Sequence, residues 1–117
     1  MSRRSADRRP LSRTAPMFAA LGDETRLALV ARLCRHGPLS ITRLTAGSPI
    51  TRQAVTKHLD QLRDAGLIRI RKQGRERLHE LDAEPLRDVD DWLRPYAEAW
   101  DRRLDALRRH LGEDDDQ

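Results

Sequence analysis

A chain of 117 residues with 38% hydrophobic side chains can bury one modest core, so it suits a single domain and excludes a large multidomain enzyme. The net charge of +4 conceals an asymmetry: residues 1–80 hold seventeen basic and seven acidic side chains, residues 81–117 six and twelve, so a basic body should draw polyanions while an acidic end faces away from them. The lone Cys34 excludes an internal disulfide and no apolar run approaches the ~18 residues of a membrane span, so a reduced, cytoplasmic protein without membrane association is expected.

The first residues, MSRRSADRRPL, carry four arginines and little to bury, which is the composition of a disordered arm over residues 1–13. It reads either as a solvated tail or as a non-specific phosphate contact. From Pro16 the apolar Met17, Phe18, Ala20 and Leu21 form a short helix closed by Gly22. Asp23 then caps a longer helix to about Arg35. In it Leu27, Val30, Ala31 and Cys34 recur at helical spacing, with Leu29 and Leu33 widening the face, and the stripe is expected to be core.

Gly37-Pro38 breaks the chain, Ser40 caps a brief helix holding Ile41 and Leu44, and Gly47-Ser48-Pro49 turns. Thr51 is an N-cap and Gly66 a C-terminal stop, which bound a helix over Arg52 to Ala65. Val55, Leu59 and Leu62 make its apolar stripe, while Arg52, Gln53, Thr56, Lys57 and Arg63 project away. Those outward side chains include the types that bond purine edges and phosphates, gathered in the first two turns where a groove-docked helix makes contact. Two helices joined by a short turn are a helix-turn-helix. Next, LIRIRK and RERLHEL alternate around Gln73-Gly74, predicting a β-hairpin wing with Arg71, Lys72, Arg75 and Arg77 at its tip.

Asp82 caps the last helix, with Pro85 in its first turn and Pro95 restarting or kinking it before about His110. Val89, Leu93, Tyr96, Trp100, Leu104, Leu107 and Leu111 run along it in a continuous stripe, and Trp92 adds a second large ring. So many large apolar side chains at the end of a small chain predict burial against a second copy, the alternative being a cover for the chain's own core. The expected dimer residues are Met17, Phe18, Leu21, Trp92, Tyr96, Trp100, Leu104 and Leu107. Residues 112–117 form an acidic tail. The expected architecture over residues 14–111 is mainly α with a small β-hairpin wing, an α+β winged helix-turn-helix with a C-terminal dimerisation helix.

The segments LGDETRLAL, AVTKHLDQLRDAGLI and the turn Gly74-Arg75, within a match over about Met17 to Leu81, resemble the arsenic-repressor (ArsR) family of bacterial winged-helix transcription regulators. The resemblance implies a homodimer built from the first and last helices, two recognition helices in successive major grooves of an inverted-repeat operator, and repression by occluding a promoter. The candidate DNA-binding set is Ser40, Thr51, Arg52, Gln53, Thr56, Lys57, His58, Lys72, Arg75 and Arg77, where His58 matches the family's usual recognition-helix histidine in a structural or phosphate-contacting role. The ending AEAWDRRLDALRRHL resembles a subgroup without metal sites.

The family's thiolate site has no counterpart, because Leu39-Ser40-Ile41-Thr42-Arg43-Leu44 contains no cysteine. The last helix offers only His110, beside Arg108 and Arg109, which oppose a bound cation. Cys34 is expected to be a buried structural thiol, and His79 to pack. No metal, cofactor or catalytic residue is expected, since there is no phosphate-cradling loop and no nucleophile beside a placed base. The main reading is a DNA-binding repressor with double-stranded DNA and itself as partners and room for an unidentified small-molecule effector. Two alternatives remain: redox switching through Cys34, and a protein-interaction module that has lost operator binding.

Overall fold

The computed structural model describes the backbone of residues 2–115 and the side chains of residues 12–112. Helix α1 (Ser2–Leu21) leads into α2 (Glu24–His36), strand β1 (Leu39–Ser40), α3 (Ile41–Ala46) and α4 (Arg52–Asp64). Strands β2 (Ile68–Gln73) and β3 (Glu76–Leu81) follow, and α5 (Ala83–Asp115) ends the described backbone. The architecture is the expected winged helix-turn-helix: mostly helical, with a small antiparallel sheet and a long C-terminal helix.

Helices α2, α3 and α4 each start where a side chain can satisfy a free amide. Asp23 accepts from the Arg26 amide at 3.0 Å, Ser40 from Arg43 at 3.3 Å and Thr51 from Ala54 at 3.1 Å. Gly66 holds the positive φ of 85° that ends α4, and the Leu67 amide returns to the Leu62 carbonyl at 2.9 Å. Leu44, Val55, Leu62 and Leu67 have no exposure at all, so the helix-turn-helix and the root of the wing share one core. Met17 and Ala20 of α1, Leu29 and Leu33 of α2, Leu39 of β1, Leu59 of α4, Ile68 of β2 and Val89 of α5 complete it.

The sheet has the order β1-β3-β2. Two residues of β1 are too few for an alternation to reveal, and sequence reading missed them; they pair Leu39 with His79 and Ser40 with Leu78. The hairpin turns through Gly74-Arg75, one residue later than expected, with Gln73 facing Glu76. Gly74 carries a φ of 66° and Arg75 does not, the arrangement of a type II′ turn, whose twist suits paired strands. His79 is buried as expected, its Nδ1 without a hydrogen-bond partner among the described residues.

Three expectations are corrected. The core face of α2 is Leu29 and Leu33 with part of Val30, whereas Leu27, Ala31 and Cys34 are exposed. Apolar residues surround α2 on nearly every side, so helical spacing alone could not select the buried stripe. Second, α1 runs from Ser2 with Pro16 inside it, through the stretch expected as a disordered arm. Pro10 lies inside it as well, so the helix anchored by Met17 and Ala20 extends through this stretch against the local propensity of its prolines. The side chains of residues 1–11, and with them any phosphate contact by the arm, lie outside the described residues. Third, α5 is one helix through Pro95, so the expected alternative of a restart there falls, and it continues to Asp115, into the expected tail, whose side chains from residue 113 also lie outside the described residues.

Candidate nucleic-acid interface

Burying Val55, Leu59 and Leu62 turns the opposite face of α4 to solvent. Arg52, Gln53, Thr56 and Lys57 all lie exposed there. The Thr56 hydroxyl donates to the Arg52 carbonyl at 2.9 Å, which holds its side chain against the helix. Arg52 and Lys57 take part in no ion pair among the described residues, whereas Arg63, one turn past His58, is held by Asp60 at 3.6 Å and Asp64 at 3.5 Å. The free cations therefore sit in the first half of the helix.

The wing shows the same division. Arg69 and Arg71 near its base converge on Glu80 at 3.8 and 3.3 Å. Lys72, Arg75 and Arg77 at its tip are exposed and have no ion-pair partner among the described residues. Unneutralised cations on two neighbouring projections suit a polyanion, because each phosphate contact releases condensed counterions.

Other expected contacts have different duties. Ser40 is buried and spends its hydroxyl on the α3 cap, so it does not belong to the DNA face. Thr51 is exposed, with its hydroxyl engaged as the α4 cap. His58 turns sideways from the exposed face, its Nδ1 lying 3.2 Å from Arg26 Nη1 and 3.9 Å from Asp23 Oδ2. That Asp23 carboxylate is held below its ordinary pKa, first by the Arg26 backbone amide and then by the charge of the Arg26 guanidinium. Ser40 and His58 are thus structural, drawn inward by the caps and polar contacts of α2 and α3.

Two arginines of α2, Arg26 and Arg32, were missed. Arg32 donates to the Leu44 carbonyl at 2.8 Å and the Arg43 carbonyl at 3.1 Å, satisfying the open end of α3. Its guanidinium lies 2.8 Å from where a Cβ on Gly47 would stand, so a larger residue there would have to move this side chain off those two carbonyls. The available signal was a cation at position 26 sharing the face of Leu29 and Leu33.

The expected dimer residues divide in two. Met17, 2% exposed, is committed to its own chain and leaves the interface set, while Leu21 is half-buried against the same core. Their neighbour Phe18 stands outward because one helix turn cannot bury all three. Phe18 meets Trp92 edge-on at 5.7 Å between centroids, and Trp92 meets Tyr96 at 4.9 Å. From there the stripe is open: Tyr96 is 60% exposed, Trp100 57% and Leu107 53%, with Leu104 half-buried. Among the described residues no group of three His, Cys, Asp or Glu side chains could hold a metal ion, and no helix is long and apolar enough to cross a membrane.

A helix-turn-helix domain family profile matches residues 21–71, from the end of α1 into the wing. The chain is 37% identical over 79 residues to the HTH-type transcriptional regulator YuzN of Bacillus subtilis, covering 62% of this chain and 86% of that protein. It is 32% identical over 94 residues to the arsenic resistance transcriptional regulator ArsR1 of Pseudomonas putida, covering 79% of this chain and 73% of that one. Among solved structures, an ArsR-like transcriptional regulator from Rhodococcus superposes with a TM-score of 0.69 at 35% identity, covering 85% of this chain and 92% of that one. A recognition helix and a wing with free cations, on a fold shared with relatives of this identity, make the chain a DNA-binding transcription regulator of the ArsR family.

Proposed function

We propose that the protein is a homodimeric cytoplasmic repressor, without catalytic activity, that binds an inverted-repeat operator. In this reading Arg52, Gln53, Thr56 and Lys57 of each copy meet base edges and phosphates in a major groove. Lys72, Arg75 and Arg77 take the flanking phosphates. The carrying observation is the set of exposed cations on the first half of α4 and the wing tip that have no ion-pair partner among the described residues. The open stripe from Phe18 to Leu107 supports a second copy as its cover.

Selection of bound duplexes from a random pool tests the proposal. It should return an inverted repeat with half-sites about one helical turn apart. Recovery of single half-sites, or of no common sequence, would overturn it. Gln53→Ala should then relax preference at one base pair per half-site, losing about 1–3 kcal/mol on the selected duplex and little on random DNA.

The exposure of Cys34 favours one second reading, redox control, by meeting its requirement for access. Titration with an oxidant, with operator binding as the readout and Cys34→Ser as the control, separates the two.

A further inference from the structure

One guanidinium in α2 joins three helices. Arg26 Nε donates to the Ala20 carbonyl and Nη2 to the Ala19 carbonyl at 3.4 Å, both in the last turn of α1. Its Nη1 donates to His58 Nδ1 at 3.2 Å and to Gln61 Oε1, both on α4. Arginine has no acceptor, so His58 must present an unprotonated Nδ1 to it. His58 and Gln61 lie three residues apart on the flank between the buried stripe of α4 and its exposed face.

The aliphatic stripe of Val55, Leu59 and Leu62 draws α4 onto the core, but burial is non-directional and tolerates small rotations about the helix axis. Hydrogen bonds to a planar fork are directional, and this fork is anchored at its other end to α1. Base-edge recognition requires side chains to be held within roughly 0.5 Å and 10–20° of the productive geometry. A device that sets the rotation of α4 therefore sets where Arg52 and Gln53 aim.

We propose that Arg26 is a positioning residue for sequence reading: by bonding the Ala19 and Ala20 carbonyls together with His58 and Gln61, it fixes the rotation of α4 against α1. Arg26 touches no DNA in this proposal. It acts on discrimination between sequences, and leaves phosphate binding alone. The inference rests on the operator-reading function proposed above.

The test compares affinities for the selected duplex and for a random-sequence duplex of equal length. Arg26→Met should weaken the selected duplex about tenfold, the scale of one charge-assisted hydrogen bond, with random-duplex affinity and its salt slope unchanged. His58→Leu and Gln61→Met should lower the same ratio, and His58→Leu should add little in an Arg26→Met background, because both remove one contact. His58→Asn, whose carbonyl oxygen can replace the Nδ1 acceptor, should restore discrimination. A folded Arg26→Met protein with the wild-type ratio overturns the proposal. So does a parallel loss on both duplexes with a flatter salt slope, which would make Arg26 a phosphate contact. Should Arg26→Met fail to fold, His58→Leu and Gln61→Met decide, and an unchanged ratio in both overturns it. A wild type that does not discriminate overturns the proposed function as well, a result distinct from any variant effect.

Discussion

Lys72 and Arg77 stand directly opposite each other in the β2–β3 ladder, exposed and without an anionic partner among the described residues. Like charges directly opposite each other across a strand pair are destabilising. The pairing makes sense when a polyanion lies over the wing. Arg77→Thr should therefore act with opposite signs, raising the stability of the free protein by a few tenths of a kcal/mol while weakening DNA binding. The slope of log K against log salt should flatten by about 0.9 per lost contact, twice that in a dimer. Salt titrations of both proteins check it, and an unchanged slope removes Arg77 from the phosphate contacts.

Gly47 and Arg32 form a second linked pair. Gly47 has an ordinary φ of −94°, so alanine there meets no backbone strain. Its Cβ would instead fall on the Arg32 guanidinium and push it from the Leu44 and Arg43 carbonyls. Gly47→Ala should cost about 1–3 kcal/mol in denaturant unfolding, the value of those hydrogen bonds. In an Arg32→Ala background the same substitution should cost little, since the obstructed group is already gone.

These pairs mark where sequence reading worked and where it stopped. The caps Asp23, Ser40 and Thr51 and the stop at Gly66 bounded the helices because their effects are local. The stripe of α4 was legible because Arg52, Gln53, Thr56 and Lys57 contrast sharply with Val55, Leu59 and Leu62. In α2, where Leu27, Ala28, Leu29, Val30 and Ala31 are consecutive, no such contrast exists, and Cys34 was placed on the wrong face. The roles of Arg26 and Arg32 depend on residues up to 35 positions away. No helical period encodes contacts of that range. Sequence alone left His58 between a structural and a phosphate-contacting role for the same reason, since its partners belong to α2.

His79 makes stability depend on pH. Burial is the main cause holding its imidazole below the ordinary pKa of 6.5; a Leu39 backbone hydrogen bond and Asp60 oppose this, and Arg63 and Arg77 reinforce it. The unfolded chain takes up a proton near pH 6.5 that the folded chain refuses. Its contribution is therefore fully present above that pH and is lost as pH falls towards the depressed folded value. Urea midpoints measured on either side of pH 6.5 should be lower on the acid side. His79→Phe should remove part of that difference, and an identical pH profile in the variant would exclude His79 as a source.

Trp100 decides what covers α5. It is 57% exposed on the chain, so truncation to alanine leaves no cavity in the core and should not unfold the protein. In a symmetric pair built on Phe18, Tyr96, Trp100 and Leu107, the same ring would be desolvated in both copies. Truncating an interface tryptophan typically costs ~2 kcal/mol or more, felt twice across the two-fold axis. Trp100→Ala should therefore sediment as a folded monomer at micromolar concentration where wild type is a dimer. With one recognition helix per particle, each half-site must be bound separately and the effective-concentration advantage is lost. Operator affinity should then collapse without any change in Arg52, Gln53 or the wing. Circular dichroism verifies the fold, and a folded Trp100→Ala dimer, or a monomeric wild type, would refute the assembly.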